Sequence, residues 1–123
     1  MLPRHNRLPA FEVRRIMRHG IRYSAESVTC IYHIRRTSQG EITPVQCSPR
    51  FSFVVSVKVS KSAVIRNRVR RTLRESIHHL LPSVTETVDM VIIGTKKLMG
   101  LSQVEVQKRV SDLLSKARLM NHE

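Results

Sequence analysis

The stretch RFSFVVSVKVSKSAVIRNRVRRTLRES, Arg50–Ser76, contains the two clearest secondary-structure patterns in this chain of 123 residues. Its first part, Phe51–Val59, alternates along its length and therefore predicts a β-strand with one buried face. One face of that strand carries Phe51, Phe53, Val55, Val57 and Val59, and the other carries Ser52, Val54, Ser56 and Lys58. The second part predicts a helix over about 62–81, which Pro82 ends. A strand that leads directly into an amphipathic helix indicates a fold in which helices pack on a sheet.

The polar side of the predicted helix is almost entirely basic. Its apolar stripe runs from Ile65 through Val69 and Leu73 to Leu80. The opposite arc and the segment just before the helix carry Arg66, Asn67, Arg68, Arg70, Arg71, Arg74, Lys58 and Lys61. Like charges four residues apart oppose helix formation, so this is not the mixed-sign surface typical of a solvated helix. Because a guanidinium bonds two phosphate oxygens at once, we predict that this face binds nucleic acid.

The rest of the sequence supplies the other layers of one domain, 1–123. The patterns predict a basic arm over 1–9, a helix over Ala10–His19, strands over Val28–Ile34 and Val88–Ile93, a loop over 35–50, and a last helix over about 102–119. A capping box, Ser102–Glu105, opens that last helix. This order predicts an α+β or α/β two-layer sandwich, with a small mixed sheet of three to four strands and three helices.

The net charge indicates a polyanionic partner. Lys and Arg number 22 against 9 Asp and Glu, a formal charge of +13, and a compact domain with that charge repels itself. Nucleic acid is the first candidate, since phosphate binding releases counterions, and an anionic membrane surface is the second. The first nine residues lack the apolar segment of a signal peptide, and no apolar run is long enough to span a bilayer. We therefore expect a cytoplasmic protein with no membrane partner, in which Cys30 and Cys47 are reduced thiols.

The sequence offers no catalytic or metal centre of its own. The six histidines are scattered, and the adjacent pair His78 and His79 would point in different directions from a helix. The acidic residues form no recognisable cluster for two metal ions, and no glycine-rich phosphate loop is present. We therefore expect that any reaction this protein supports is carried out mainly by a partner.

Two polar residues have two interpretations each. Asn67 is a poor helix former, so its amide either binds a base edge, a ribose hydroxyl or a hydrated metal ion, or is simply exposed. Tyr32 either stacks on a base, as aromatic residues do in single-strand binders, or packs in the core. The sequence leaves both choices open.

The central stretch resembles the signature of the bacterial ribonuclease P protein component. In that family a strand ending in Ser-Lys-Lys leads into a helix with Arg-Asn-Arg, a basic pair and Arg-Glu. The matching residues here are Arg66-Asn67-Arg68, Arg70-Arg71 and Arg74-Glu75, with further likeness at Asn6-Arg7-Leu8, Gly20 and Asp89–Gly94. The chain departs from the family at Val13 and Met17, where phenylalanines are common, and at Val57, which replaces the first lysine of the pair.

The resemblance implies that the chain is a cofactor in an endoribonuclease made of one protein and one RNA. The RNA subunit, holding most of the Mg²⁺, would cleave precursor tRNA and release its 5′ leader. The basic helix would contact that RNA, and a cleft between this helix and the sheet would hold the single-stranded leader. The leader-facing residues would be Val13, Met17, Tyr32, Val54 and Ser56. The resemblance also implies a left-handed βαβ crossover, shared with a ribosomal-protein domain, although such crossovers are generally right-handed.

Three other classes of protein compete with this interpretation. A ribosomal or general RNA-chaperone protein would bind RNA in the same salt-dependent way without a role in cleavage. A DNA-binding regulator is disfavoured because the order of elements contains no recognisable helix-turn-helix. A nuclease with its own active site is disfavoured because no cluster of carboxylates or histidines is evident.

Overall fold

The computed structural model describes residues 2–25, 27–34, 48–84 and 87–117. The helices are α1 (Ala10–His19), α2 (Ala63–Leu80) and α3 (Gln103–Lys116), and the strands are β1 (Ile21–Ser24), β2 (Val28–Ile34), β3 (Arg50–Val54) and β4 (Val88–Gly94). Most of the predicted loop over 35–50, with Cys47, lies outside the described residues. The predicted bounds of α1 and β2 are confirmed, and those of α2 are confirmed to within a residue.

The four strands form one mixed sheet in the order β1-β2-β4-β3. Strand β2 is antiparallel to both of its neighbours, whereas β3 is parallel to β4. Helix α2 connects this parallel pair, which makes β3-α2-β4 a βαβ unit inside an otherwise antiparallel sheet. The predicted α+β fold, with a small mixed sheet and three helices, is confirmed. The handedness of the crossover stays a prediction.

The alternation of the strands divides the apolar residues between the two faces of the sheet. Helices α2 and α3 cover one face, where Leu73 of α2 and Leu114 of α3 pack with Cys30, Phe51 and Ile92 from three strands. Helix α1 covers the opposite face, where the small cluster consists of Leu8, Ile16, Ile31 and Val91. The sheet therefore separates a large core from a much smaller one.

Serine caps fix where α2 and α3 begin. The Ser62 hydroxyl accepts a hydrogen bond from the amide of Ile65 at 3.4 Å. The Ser102 hydroxyl accepts one from the amide of Glu105 at 3.2 Å. Each cap satisfies a backbone donor that the first helical turn leaves free, which explains why the sequence located both starts.

The prediction that the strand extends to Val59 is wrong, because β3 ends at Val54. Beyond it the chain folds into a turn in which Ser56 accepts two hydrogen bonds, one on its carbonyl from the amide of Val59 and one on its hydroxyl from the amide of Lys58. Val55 and Val59 still reach the large core, whereas Val57 is exposed. This turn lies between β3 and α2. No glycine or proline marks it, so the alternating pattern hid it.

The predicted arm packs along the edge of the sheet. Leu2 and Leu8 are buried, and the amide of Leu8 donates to the carbonyl of Phe51 at 2.8 Å. The side chain of Asn6 donates to the carbonyl of Pro49 at 2.8 Å. Residues 2–9 thus cover the free edge of β3, which would otherwise expose unpaired backbone groups.

Strand β1 was absent from the predicted order of elements. It has only four residues, three of them exposed, so it carries no alternating pattern. Its link to α1 depends on Gly20, where an added Cβ would lie 2.6 Å from the carbonyl oxygen of Ile16. Only glycine allows the chain to pass this close to the end of the helix.

Candidate nucleic-acid interface

The predicted RNA-binding residues of α2 divide into two rows. Asn67, Arg68 and Arg71 are exposed on the outer side of the helix. Arg66, Arg70 and Arg74 follow one another at four-residue spacing and are half-buried. Within residues 48–84 and the other described ranges, no carboxylate forms an ion pair with any of these five arginines. Their mutual repulsion is therefore not offset inside the described protein, which favours an external anion as the partner.

Two of the half-buried arginines are held in place by neutral acceptors. The Nη1 of Arg66 donates to the carbonyl of Ser60 at 2.9 Å, which ties the helix to the preceding loop. The Nη1 of Arg70 donates to Oδ1 of Asn67 at 2.6 Å. These bonds orient the guanidiniums without neutralising their charge. Asn67 therefore has a role that the sequence did not reveal, because it positions an arginine of the same helix.

Arg70 and Arg74 line a cavity of about 350 Å³ between α2, the edge of β3 and the N-terminal arm. The other lining residues are Leu2, Arg7, Phe51, Ser52 and Phe53. Arg7 is oriented from the arm by a hydrogen bond from its Nε to the carbonyl of Leu2, at 3.0 Å. This arm cavity thus brings three arginines together beside the phenylalanines of an edge strand, in an arrangement suited to phosphate groups.

A larger groove, of about 870 Å³, opens where the parallel strands β3 and β4 end. One wall is the loop Ser56–Lys61 and the other is Ile93–Lys96, so Lys58, Lys61 and Lys96 meet at one site, which we call the lysine groove. All three lysines are exposed. Thr95 is fixed by donating its hydroxyl hydrogen to the carbonyl of Ser27 at 2.7 Å. The site prediction included Lys58 and Lys61 but missed Lys96. Its position directly after a strand parallel to β3 could have indicated it, since carboxyl ends of neighbouring parallel strands meet at one edge.

The predicted leader-facing residues do not line a cleft between the basic helix α2 and the sheet. Four of the five lie on the opposite side of the sheet, which α1 covers, or just beyond it. Val13 and Val54 are half-buried and both pack against the small cluster under α1. Met17 is 43% exposed one helical turn after Val13, and Ser56 is exposed at the start of the lysine groove. Ile93, which the prediction did not include, packs against the same cluster and also lines the lysine groove. An apolar path therefore leads from α1 to the three lysines, and this path together with the lysine groove is called the cleft below.

Tyr32 is the exception, and the structure corrects its placement. It is only 7% exposed and belongs to the large core under α2 and α3, on the opposite face of the sheet. Burial raises the pKa of its phenol. The core interpretation of Tyr32 is therefore confirmed. Because side chains alternate along β2, its neighbours Ile31 and His33 face the α1 side instead.

A charged network fixes α1 on the other flank of this face. Arg50 of β3 donates to both carboxylate oxygens of the fully buried Asp89 at 2.8 Å each, and its Nη1 lies 2.8 Å from a carboxylate oxygen of Glu12 on α1. Arg15 lies 3.2 Å from Glu12 and 3.8 Å from Asp89. The bond to Asp89 is the main cause of the raised pKa of Arg50. The network connects α1, β3 and β4, so it determines how α1 sits beside the cleft.

The described ranges hold neither a metal-binding cluster nor a membrane-spanning helix. Within them, no three His, Cys, Asp or Glu side chains come together in a way that could hold a metal ion. Nor does any helix there combine the length and the apolar character needed to cross a membrane.

Fold and surface together define a class: a small, strongly basic α+β protein whose arginines and lysines converge around two open sites. The sequence model of the family described as Ribonuclease P matches residues 2–118. The chain belongs to the ribonuclease P protein family, which confirms the resemblance seen in the sequence.

Individual relatives agree with this assignment. The chain is 31% identical over 110 residues to the ribonuclease P protein component of Clostridium novyi, covering 89% of this chain and 90% of that protein. It is 36% identical over 73 residues to that of a Synechocystis species, a match that spans 59% of either chain. The fold matches the RNase P proteins of Thermotoga maritima (TM-score 0.74, 21% identity, 89% of this chain and 96% of that one) and Staphylococcus aureus (TM-score 0.75, 18% identity, 94% and 98%).

Proposed function

We propose that the chain is the protein cofactor of a ribonuclease P ribonucleoprotein, one protein with one RNA, which removes the 5′ leader from precursor tRNA in the cytoplasm. The observation that carries the proposal is the arginine face of α2, which has no ion-pair partner among the described residues and adjoins the lysine groove. Hydrolysis of the phosphodiester bond is then the work of the RNA subunit. The protein binds the RNA subunit and helps to position the precursor tRNA.

The arginine face of α2 is the part we assign to the RNA subunit. Arg68 and Arg71 point outward, and Arg70 and Arg74 open into the arm cavity, so phosphates can approach from two sides. Each phosphate neutralised by an arginine releases counterions, which makes binding favourable and strongly dependent on salt. The half-buried arginines should bind phosphate more strongly than the exposed ones, because charge-assisted hydrogen bonds are stronger away from bulk water.

The path from α1 to the lysine groove is the part we assign to the single-stranded leader. Val13, Met17 and Val54 offer apolar contact to bases, while Lys58 and Lys96 offer charge to phosphates. Single-strand binders combine these two kinds of contact, although they commonly use aromatic rings where this chain has aliphatic ones. Because only the precursor carries a leader, contacts here tighten binding of precursor relative to mature tRNA.

Magnesium belongs to the RNA subunit in this proposal, where it supplies the charge that activates water and stabilises the leaving oxygen. The surroundings of Asn67 disfavour a magnesium ion, whether it is bound directly or through water. Its Oδ1 already accepts from Arg70 at 2.6 Å, and that guanidinium would repel a cation. We therefore assign Asn67 to the orientation of Arg70 rather than to a metal ion.

The test is cleavage of precursor tRNA at low magnesium by the ribonuclease P RNA from the same source, with and without this chain. The chain should restore accurate 5′ cleavage. Arg71→Ala should weaken binding to the RNA subunit and flatten its salt dependence by about one unit of slope, because one phosphate contact is lost. Lys108→Ala, which removes an exposed positive charge from α3, is the matched control and should leave the slope unchanged.

Two outcomes would contradict the proposal. Tight RNA binding without any rescue of cleavage would indicate a general RNA-chaperone protein. Equal slopes for Arg71→Ala and Lys108→Ala would show that α2 does not carry the phosphate contacts.

A further inference from the structure

Phe11 is 83% exposed, the largest exposed fraction among the large apolar side chains of the described residues. Helix α1 is amphipathic, and its buried side is centred on Ile16 and Val13. At about 100° per residue, Phe11 points away from that side, into solvent. An aromatic ring stabilises a fold when it is removed from water, and this ring is not, so the packing of α1 does not explain a phenylalanine here.

Arginines surround Phe11 on the same outer face. Arg14, Arg15 and Arg18 follow it at three, four and seven residues, the spacings that share one side of a helix. Arg15 is engaged by Glu12 and Asp89. Arg14 and Arg18 form no side-chain hydrogen bond or ion pair within the described residues. An exposed ring thus lies beside two guanidiniums that remain available to an external anion.

This outer face adjoins the path assigned above to the leader. Around the helix axis, Arg14 lies about 60° from Phe11, and Met17 lies about 60° further in the same direction. Met17 and Val13 border the apolar path. A strand that leaves the cleft over Met17 therefore reaches Arg14 first and then the ring of Phe11.

We propose that the outer face of α1, formed by Phe11, Arg14 and Arg18, is a second binding site for single-stranded RNA. The ring stacks on a base, and the two guanidiniums bind the adjacent phosphates, which is the combination that single-strand binders use. The RNA is the part of the leader that lies farther upstream than the segment in the cleft. That assignment rests on the proposed function, whereas the binding of single-stranded RNA does not.

The absence of tryptophan from the chain allows a direct test of the site. Phe11→Trp keeps an aromatic ring and introduces the sole indole fluorophore. Titration with a single-stranded oligoribonucleotide should quench its emission in a saturable way, more weakly as salt is raised. Val104→Trp places the same fluorophore at another highly exposed apolar position, on α3, and should show no saturable quenching. Equal quenching at both positions, or none at either, would overturn the site.

Leader length then tests the assignment of the RNA. Phe11→Ala should weaken binding of precursor tRNA to the holoenzyme about tenfold when the leader is long, and not at all when the leader ends inside the cleft. Phe11→Leu keeps apolar area without an aromatic face and should behave like Phe11→Ala. Losses independent of leader length would overturn the leader assignment. Concentration-dependent self-association that Phe11→Ala abolishes would show that a second copy of the chain covers this face.

The two proposals can fail separately. If the chain does not support cleavage by any ribonuclease P RNA but Phe11→Trp is still quenched by RNA, the cofactor role is wrong and the α1 site stands. If cleavage is rescued and quenching is absent, the cofactor role stands and the α1 site is wrong.

Discussion

The two faces of the sheet are packed in different ways. Toward α2 and α3, nineteen buried apolar residues of the described chain form one continuous cluster, most of them valine and leucine. Toward α1, the buried cluster has four residues, and three half-buried apolar residues and a network of Arg50, Asp89, Glu12 and Arg15 add further contact. The proposed leader path lies on this second face. Most of the buried core and the proposed leader path therefore lie on different sides of the same strands.

The difference has a physical reason. An apolar core favours dense packing and tolerates no groove, whereas a helix held by a small cluster and directional charges can stand beside an open path. Buried ion pairs add little net stability because their desolvation is costly, but a bidentate arginine admits few orientations. The Arg50 network thus fixes the position of α1 more than it stabilises the fold.

The largest expected effect is on the apolar face. Leu73→Ala should lower the free energy of unfolding by about 4 kcal/mol, because Leu73 is fully buried in the large cluster and leaves a cavity that rigid neighbours cannot fill. Ile16→Ala, in the small cluster, should cost about 2 kcal/mol, since α1 can shift toward the lost atoms. Urea unfolding measures both. Equal losses would remove the distinction between the two faces.

The next effect concerns the charged network. Asp89→Asn should cost about 3 kcal/mol, because it leaves Arg50 half-buried without its bidentate partner. The loss should be local first, so hydrogen exchange should accelerate in α1 more than in α2. Asp112→Asn, at an exposed acid of α3, is the control and should change stability by less than about 0.5 kcal/mol. If hydrogen exchange accelerated equally in both helices, the network would stabilise the whole fold rather than hold α1 in position.

Much of the fold could be predicted because local patterns and long-range packing agree. The helical stripe of α2, its serine cap and the apolar run of β4 each indicate one structure, and each is present. The end of β3 at Val54 was not predictable from alternation, since Val55 and Val59 stay buried after the strand ends. Strand β1 was missed because its exposed residues acquire strand geometry only by pairing with β2.

The candidate site could be predicted where positive charge identifies its residues. It could not be predicted where a residue's place depends on the face of the sheet to which its side chain points. The basic residues of α2 stand out in any reading of the sequence, and the structure places them on exposed or half-buried positions. The polar hydroxyl of Tyr32 suggested exposure. Tyr32 follows Cys30 by two residues on β2, however, so both side chains point to the same face and lie in the large core. Lys96 joins the groove because β4 lies parallel to β3, which the strand-helix-strand order favours but which the basic residues of α2 do not reveal.

The smallest expected effect tests how tightly the apolar face is closed. Burial raises the pKa of the Cys30 thiol to about 11, from 9.0 in an exposed cysteine. As the pH rises from 9 to 11, the thiol ionises first in the unfolded chain, so the folded state loses stability. At about 1.4 kcal/mol per pKa unit, the loss approaches roughly 2 kcal/mol. The measurement is the free energy of unfolding across this range, in a Cys47→Ser background that leaves Cys30 as the sole thiol.

Cys30→Ala is the control that isolates this term from the titration of lysines and tyrosines. The alanine variant should be less stable at neutral pH, because it leaves a small cavity in the large cluster. Its deficit should shrink as the pH rises, since it has no thiol to keep protonated. A deficit that stays constant to pH 11 would show that the folded and unfolded thiols ionise alike. In that case water reaches β2 from the α2 and α3 side, and the contrast between a closed face and an open one would not hold.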